Sequence, residues 1–311
     1  MSTEAYTDYA FNAMGTACQV RFQAASPAAS SAFTKEVSEW IGAFEQRFSR
    51  FIPDSLISRI NAGAGGDWIE IDDEAESLFA LCDWFHWSTR GLFDPATLPV
   101  IVLWDYHSPH PAVPPPGAIA SALTRCGWSK MKRRKGAVRL PESGMGIDVG
   151  GIGKEYAVDR ILEKALASGI RNILVDFGHD LRVQGEPPEG GPWRVGLEDP
   201  ADPGQCWAGV AVTNRAVTTS GDYFRNSTIG GERFGHIIDP RTGSPVHNGC
   251  RSVSVIAQTC TEAGILSTTA FILGGEAGLN VLDAWYQAEG CINETNNQYL
   301  TRRFHEYLIR K

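Results

Sequence analysis

The sequence predicts an α+β fold with mixed, largely antiparallel sheets and flanking helices. Three observations carry that reading. Apolar residues recur at helical spacing in a few segments, above all "SAFTKEVSEWIGAFEQRFSRF", where Phe33, Val37, Trp40, Ile41, Phe44 and Phe48 form one stripe that reads as core. From the segment "NILVDFG" onward the chain breaks into short runs rich in β-branched and aromatic residues, with turn residues between them. Strands and helices alternate irregularly, which is not the regular strand-helix repeat of a doubly wound sheet.

The elements follow in chain order. "ACQVRFQA" alternates as a strand and leads into the helix just described. "EAESLFALCDWFHWSTRG" predicts a second helix, ended by Gly91. "HSPHPAVPPPGAIASALTRCG" reads as a proline-rich connector and then a helix, with His107 and His110 taken as solvated loop residues rather than a metal pair. The basic run "KMKRRK" at 130–135 precedes the strand-like "GAVRL" and reads as a solvated hairpin edge. "IDVGGIGKEYAVDRILEKALASG" is a glycine-rich turn feeding a helix. "LRVQGE", "WRVGLEDP", "WAGVAVTN", "AVTTSGDYFRN", "GERFGHIIDPRTG" and "CRSVSVIAQ" supply further strands, on which a helix after residue 261 and the tail "QYLTRRFHEYLI" are expected to pack.

Composition narrows the function. At 311 residues and 43% hydrophobic, the chain can bury the core of one large domain or of two closely packed ones. A formal charge of −8 argues against a nucleic-acid partner, which requires a basic surface. No apolar run is long enough for a membrane span, and "MSTEAYTDYAFNAMGT" lacks the basic and apolar regions of an export signal, so the expected location is cytoplasmic. Seven scattered cysteines without a CxxC pair suggest buried thiols, neither a zinc site nor a disulfide framework.

Four short segments could carry chemistry. "GGIGK" exposes backbone N–H groups ahead of a helix and adds Lys154, a charge suited to phosphate, although a tight turn before a helix would look the same. "HIIDPRTG" at 236–243 packs an imidazole, a carboxylate and a guanidinium around a Pro/Gly turn, and Asp239 could equally organise that turn through its own backbone. "TTSGDY" offers hydroxyls; Ser220 lacks a GxSxG elbow, which argues against a hydrolase nucleophile. "FDPA" at 93–96 sets a ring and a carboxylate on a Pro turn.

Taken in order, "FNAMGT", "FSRFIPDSLISRIN", "GLFDPATLPVIVLW", "IDVGGIGKEYAVDRI", "LVDFGHDLRVQG", "PWRVGLEDP", "AVTTSGDYFR" and "HIIDPRTGSPV" resemble the ApbE family, the FAD:protein FMN transferases. The resemblance implies one ApbE-like, T-fold-related domain over 1–311, two-lobed, with FAD between its tightly packed lobes. It implies magnesium-dependent transfer of FMN to a Thr or Ser of a target protein, with AMP leaving. It places Met14, Phe51, Leu92, Phe93, Asp94, Asp148, Lys154 and Ile237 at the flavin cofactor, with Phe51 where members usually carry Tyr. By the same resemblance the Gly151 carbonyl and Thr268 are metal ligands, and His236 is the candidate acid–base or phosphate-orienting group. Asp239, Arg241 and Thr242 shape the turn.

One departure bears on activity. Family members usually read Ala-Asp-Ala-Leu-Ser/Ala-Thr where this chain has Ala263, Gly264, Ile265, Leu266, Ser267 and Thr268, so the Thr is kept and the metal-ligand Asp is Gly264. Glu262 is the nearest replacement, turned away around an ideal helix; it reads either as a displaced ligand or as a first-turn acid capped by Thr259 or Thr261. Gly264→Asp is expected to be cheap in stability, because Gly inside a helix costs roughly 1 kcal/mol. His179, in "GHD" where members have "GGD", is either a compensating change or a surface side chain. Three functions follow: FMN transfer, FAD binding by an impaired carrier or assembly factor, and FAD hydrolysis with water as the nucleophile.

Overall fold

The computed structural model describes residues 6–104, 111–202, 204–222 and 226–309. His107 and His110 lie outside the described residues. The chain divides into two compact units, one of residues 1–45, 152–221 and 249–311, the other of residues 46–151 and 222–248.

The first unit is built on an eight-stranded sheet whose spatial order follows the chain. Its strands are β1 (Tyr6–Ala13), β2 (Thr16–Gln23), β3 (Ile173–Phe177), β4 (Asp180–Gln184), β5 (Ala216–Gly221), β6 (Cys250–Ala257), β7 (Glu289–Glu294) and β8 (Gln298–Leu300). Every neighbouring pair is antiparallel. Two tight hairpins set the register at one end. Ala13 pairs with Thr16 across Met14 and Gly15, at φ 52° and 72°, and Phe177 pairs with Asp180 across Gly178 and His179, at φ 63° and 72°. Positive φ at both central residues gives a two-residue loop the twist of its strands.

Among the described residues, this unit carries α1 (Pro27–Phe48), whose last three residues fall in the second unit, α2 (Gly153–Ala167), α3 (Cys260–Leu273) and α4 (Gly275–Ala284). Phe33, Val37, Ile41, Phe44 and Phe48 of the α1 stripe are core as expected, while Trp40 is half-buried at its edge; Phe33 packs against Phe22 at 4.9 Å between ring centroids and Phe44 against Tyr156 of α2 at 5.6 Å. Helix α2 packs on β3 and β4, α3 on β5 and β6, and α4 on β7. "WRVGLEDP" and "WAGVAVTN" stay outside the large sheet as a separate hairpin, Trp193–Glu198 with Cys206–Val212. That hairpin buries Trp193, Leu197, Val210 and Val212 against Leu181, Val183, Val217 and Ile256 of the sheet. Strand β6 is therefore covered on both faces, which is why "VSVIA" lacks a polar-out alternation. The tail contributes the edge strand β8 and a short turn whose Phe304 is fully buried.

The second unit carries short helices at Leu56–Ala62, Asp73–Ser88, Leu98–Trp104 and Pro116–Leu123. The second of these starts on Asp72, whose carboxylate accepts from the Glu74 and Ala75 N–H groups, and the chain leaves it at Gly91, at φ 80° with its N–H on the His86 carbonyl. The basic run forms the hairpin Lys132–Arg134 with Ala137–Arg139. Its Arg133 reaches Glu76 at 3.0 Å and also pairs with Asp83. "GERFGHIIDPRTG" departs from expectation: it joins this unit as two small ribbons, Asn226–Ile229 with Glu232–Gly235 and Ile238–Asp239 with Ser244–Pro245.

Candidate functional site

In the first unit, polar groups gather where α2 faces α3. Lys154 opens α2 and is paired with Asp180 of β4, and its Nζ lies 3.6 Å from Glu155 Oε1. Burial pulls the Lys154 ammonium down, but Glu155 and Asp180 together outweigh it and hold the amine charged, above the usual lysine range. Burial likewise pushes the Glu155 carboxyl above the usual range, with Lys154 opposing and Asp180 adding to the rise. Glu155 is 8% exposed, and its Oε2 has no hydrogen-bond partner.

Gly264 lies directly against this carboxylate. A Cβ added to Gly264 would sit 2.6 Å from Glu155 Cγ and 3.1 Å from Glu155 Oε1. The expectation that Gly264→Asp is cheap is thereby corrected: the gain in helix propensity meets a volume already filled. One turn further along the same helix, Thr268 Oγ1 is 3.0 Å from Ser220 Oγ, which is 2.8 Å from Ser267 Oγ. Ser267 in turn donates to the Gly264 carbonyl at 3.0 Å. The hydroxyls of "TTSG" thus line up with those of α3.

Glu262 is placed in the first turn of α3. Its N–H donates to the Thr259 hydroxyl at 3.1 Å, the N-cap bond of the helix, and that hydroxyl donates to Glu262 Oε2 at 3.4 Å. The start of α3 is also tied to Asp159 of α2, which accepts from the Cys260 and Thr261 N–H groups at 2.8 and 2.9 Å. Met14 sits in the β1–β2 turn with its N–H on Glu45 at 2.9 Å. His179 is exposed in the β3–β4 turn, its N–H on Asp176 at 2.7 Å.

In the second unit, Asp148 is held from two sides: Arg50 Nε donates to it at 2.8 Å and the Gly150 N–H at 2.8 Å. The Arg50 guanidinium lies 4.1 Å from the centroid of the Phe51 ring, and Phe51 itself is 69% exposed. An open ring backed by a cation is a ready stacking platform. Phe93 is buried against Phe85, and Leu92 is half-buried beside it. Asp94 turns inward and accepts from the Ala96 N–H at 2.7 Å and the Trp128 N–H at 3.0 Å, so its carboxylate holds two loop segments together. Gly151 is exposed. His236 is exposed and Ile237 half-buried. Asp239 shapes its turn as expected, accepting from the Arg241 side chain at 2.7 Å and, through its carbonyl, from the Gly243 N–H at 2.8 Å.

The family model described as "ApbE family" matches residues 14–292. The chain belongs to the ApbE family. Among its relatives is a protein of Treponema pallidum named FAD:protein FMN transferase, 34% identical over 286 residues, covering 86% of this chain and 79% of the relative. A protein of the same name from Haemophilus influenzae is 28% identical and covers 93% of this chain and 87% of its own length. The solved ApbE protein of Thermotoga maritima superposes with a TM-score of 0.90 at 28% identity, over 98% of this chain and 100% of that one. Relatives in the ApbE family with that name are transferases. The ApbE-type fold accounts for the antiparallel sheet and its flanking helices.

Sequence reasoning missed Glu155, Asp180, Asp159 and Arg50. A signal existed for two of them. Glu155 and Asp159 stand four apart in "KEYAVDRIL", among residues that are otherwise apolar on the buried side of α2. Acids on an apolar face need a partner or a task. Asp180 and Arg50 gave no such signal, because their partners are distant in sequence.

Proposed function

We propose that this ApbE-family chain transfers FMN from FAD to a Thr or Ser hydroxyl of a target protein, with Mg²⁺ required and AMP released. One observation carries the reading beyond family membership: the space beside Gly264 is still polar. A site given over to binding alone could fill with apolar side chains, whereas here a buried carboxylate, a lysine and a hydroxyl row stand beside it.

The donor set fits a hard cation. Among the described residues no group of three or more His, Cys, Asp or Glu is placed to hold a metal. The ion would therefore be held by mixed oxygen ligands, the Thr268 hydroxyl implied by resemblance among them, completed by substrate phosphates. When bound, it supplies charge neutralisation at the pyrophosphate. The chain's own residues do the rest. Phe51 and Met14 contact the ring system, and Asp148 is oriented for its cofactor contact by Arg50. His236 accepts the proton of the target hydroxyl as its oxygen bonds to the phosphorus of the FMN half, while the bond from that phosphorus to the AMP phosphate oxygen breaks. FAD hydrolysis is the same displacement with water as nucleophile.

Mass spectrometry of a candidate acceptor protein after incubation with FAD and Mg²⁺ tests the proposal. An added FMN on Thr or Ser, with one AMP per adduct, supports it. Free FMN and AMP without an adduct would establish hydrolysis instead, and FAD recovered intact would favour the carrier reading.

A further inference from the structure

We infer that Glu155, on α2, supplies the metal-binding carboxylate that α3 lacks at Gly264, so that the acid has changed helices without leaving the site. The inference rests on the magnesium-dependent reading above.

Three features of the geometry point there. The first is volume: the side chain that a residue at 264 would extend from α3 is replaced by the end of Glu155, whose Oε1 lies 3.1 Å from the Cβ position of Gly264. A carboxylate reaching in from α2 therefore stands close to where one from α3 would begin. The second is charge. Lys154 faces two carboxylates, Glu155 and Asp180, and with both ionised the three groups carry a net negative charge in a buried setting. Burying an unbalanced negative charge is costly, and a bound divalent cation offsets it, its remaining charge being met by substrate phosphates. The third is the orphaned atom. Glu155 Oε2 is buried without a hydrogen-bond partner, although buried carboxylate oxygens ordinarily accept. Thr268 lies on the same face of α3 as Gly264, one turn on, so that a carboxylate beside Gly264 and the Thr268 hydroxyl can address one ion.

Glu262 is the competing acid, and its geometry speaks for a different task. Its N–H and carboxylate are both engaged with Thr259, which ties it to the start of the helix. Its place in the first turn also complements the helix dipole.

The test uses Mn²⁺ as the spectroscopic probe, its binding followed by electron paramagnetic resonance in the full chain, with and without FAD. FAD binding is measured separately by flavin fluorescence. Wild type should bind one Mn²⁺. Glu155→Gln, which keeps the volume and removes the charge, should weaken Mn²⁺ at least tenfold while FAD affinity in the absence of metal stays within a few-fold. Glu262→Gln should leave Mn²⁺ affinity unchanged. The exchange variant Glu155→Ala/Gly264→Asp, which returns the acid to α3 in the space vacated, should recover most of the lost affinity. Wild-type affinity in Glu155→Gln, or its loss in Glu262→Gln, overturns the inference even if FAD binds and FMN is transferred. Failure to bind FAD at all would instead strike the proposed function, and the two outcomes are read on different signals.

Discussion

Gly264 of α3 and Glu155 of α2 share one volume: a Cβ on the glycine would lie 2.6 Å from the glutamate Cγ, so only one of the two helices can extend a side chain there. Substitution at either position must be read through the other.

The first consequence concerns stability. Gly264→Ala would be worth up to about 1 kcal/mol from helix propensity alone. The overlap is with Cγ, close to the α2 backbone, and overpacking of a filled core typically costs about 1–3 kcal/mol. Urea unfolding should therefore show Gly264→Ala to be less stable than wild type. In a Glu155→Ala background the same substitution should become stabilising, since the clash is gone and only the propensity remains. Additive effects in the two backgrounds would mean that the contact is not as close as 2.6 Å.

How much of this was legible in the sequence depends on the range of the interaction. Periodicity exposed the α1 stripe and the β2 alternation because a helix or strand face is a local property. The strand segments around residues 193–212 were equally legible, but their removal into a separate hairpin was not, since the face that Trp193 and Val210 cover is set by residues of β4, β5 and β6. The Gly264 substitution could be seen from the ApbE resemblance. Its counterpart could not, because Glu155 is 109 positions away (264 − 155) and only the packing of α2 on α3 brings the two together.

His179 occupies a position that favours glycine. It lies at φ 72° in the β3–β4 turn, in the left-handed region that costs an ordinary residue roughly 1–2 kcal/mol. Its side chain is exposed, so little packing offsets that cost. His179→Gly should raise the unfolding free energy by about 1 kcal/mol after the entropy of the freer glycine is subtracted, seen as a higher urea midpoint. Loss of FAD or metal binding in the same variant would show that the imidazole has a task, and would favour the compensating-change reading of "GHD".

Asp94 should leave a mark on the pH profile of stability. Burial raises its carboxyl above the ordinary aspartate value of 3.8, with the Ala96 and Trp128 N–H groups and His86 opposing. The folded protein therefore keeps this proton at a pH where the unfolded chain has released it. The associated stability is fully present below pH 3.8 and is lost as pH rises through the folded value. Glu155 and Asp176 are raised in the same direction, so the wild-type decline contains all three. Asp94→Asn removes one contribution, and unfolding midpoints measured upward from acid pH should fall less steeply than in wild type. A profile parallel to wild type would show that Asp94 is solvated in solution.

Thiol chemistry should single out one residue. Six of the seven cysteines are buried and Cys206 alone is exposed. Burial pushes the thiols of Cys18 and Cys126 up to about 11 and that of Cys291 to about 12, so these three are both shielded and protonated near neutrality. N-ethylmaleimide at about pH 8 should label one site per native chain, at Cys206, and all seven once the chain is unfolded. Fast native labelling at Cys260 would mean that α3 opens, since that thiol lies at its buried first turn.

The Phe51 ring separates binding from folding more cleanly than any other residue assigned to the flavin. Being 69% exposed, it buries little surface in the protein, and Phe51→Ala should change the unfolding free energy by under about 0.5 kcal/mol. If the ring stacks on the isoalloxazine, its removal should cost about 0.5–1.5 kcal/mol of binding, a two- to twelvefold weakening of FAD affinity at roughly 1.4 kcal/mol per decade. Riboflavin should weaken by the same factor, because the contact is to the ring system and not to the phosphates. Asp148→Ala should behave differently: it frees Arg50, which is held at 2.8 Å and stacked on Phe51, so the platform loses its support as well as its carboxylate. A double variant less than additive in FAD binding would confirm that Asp148 acts partly through Phe51. Unchanged FAD affinity in Phe51→Ala would remove the ring from the site.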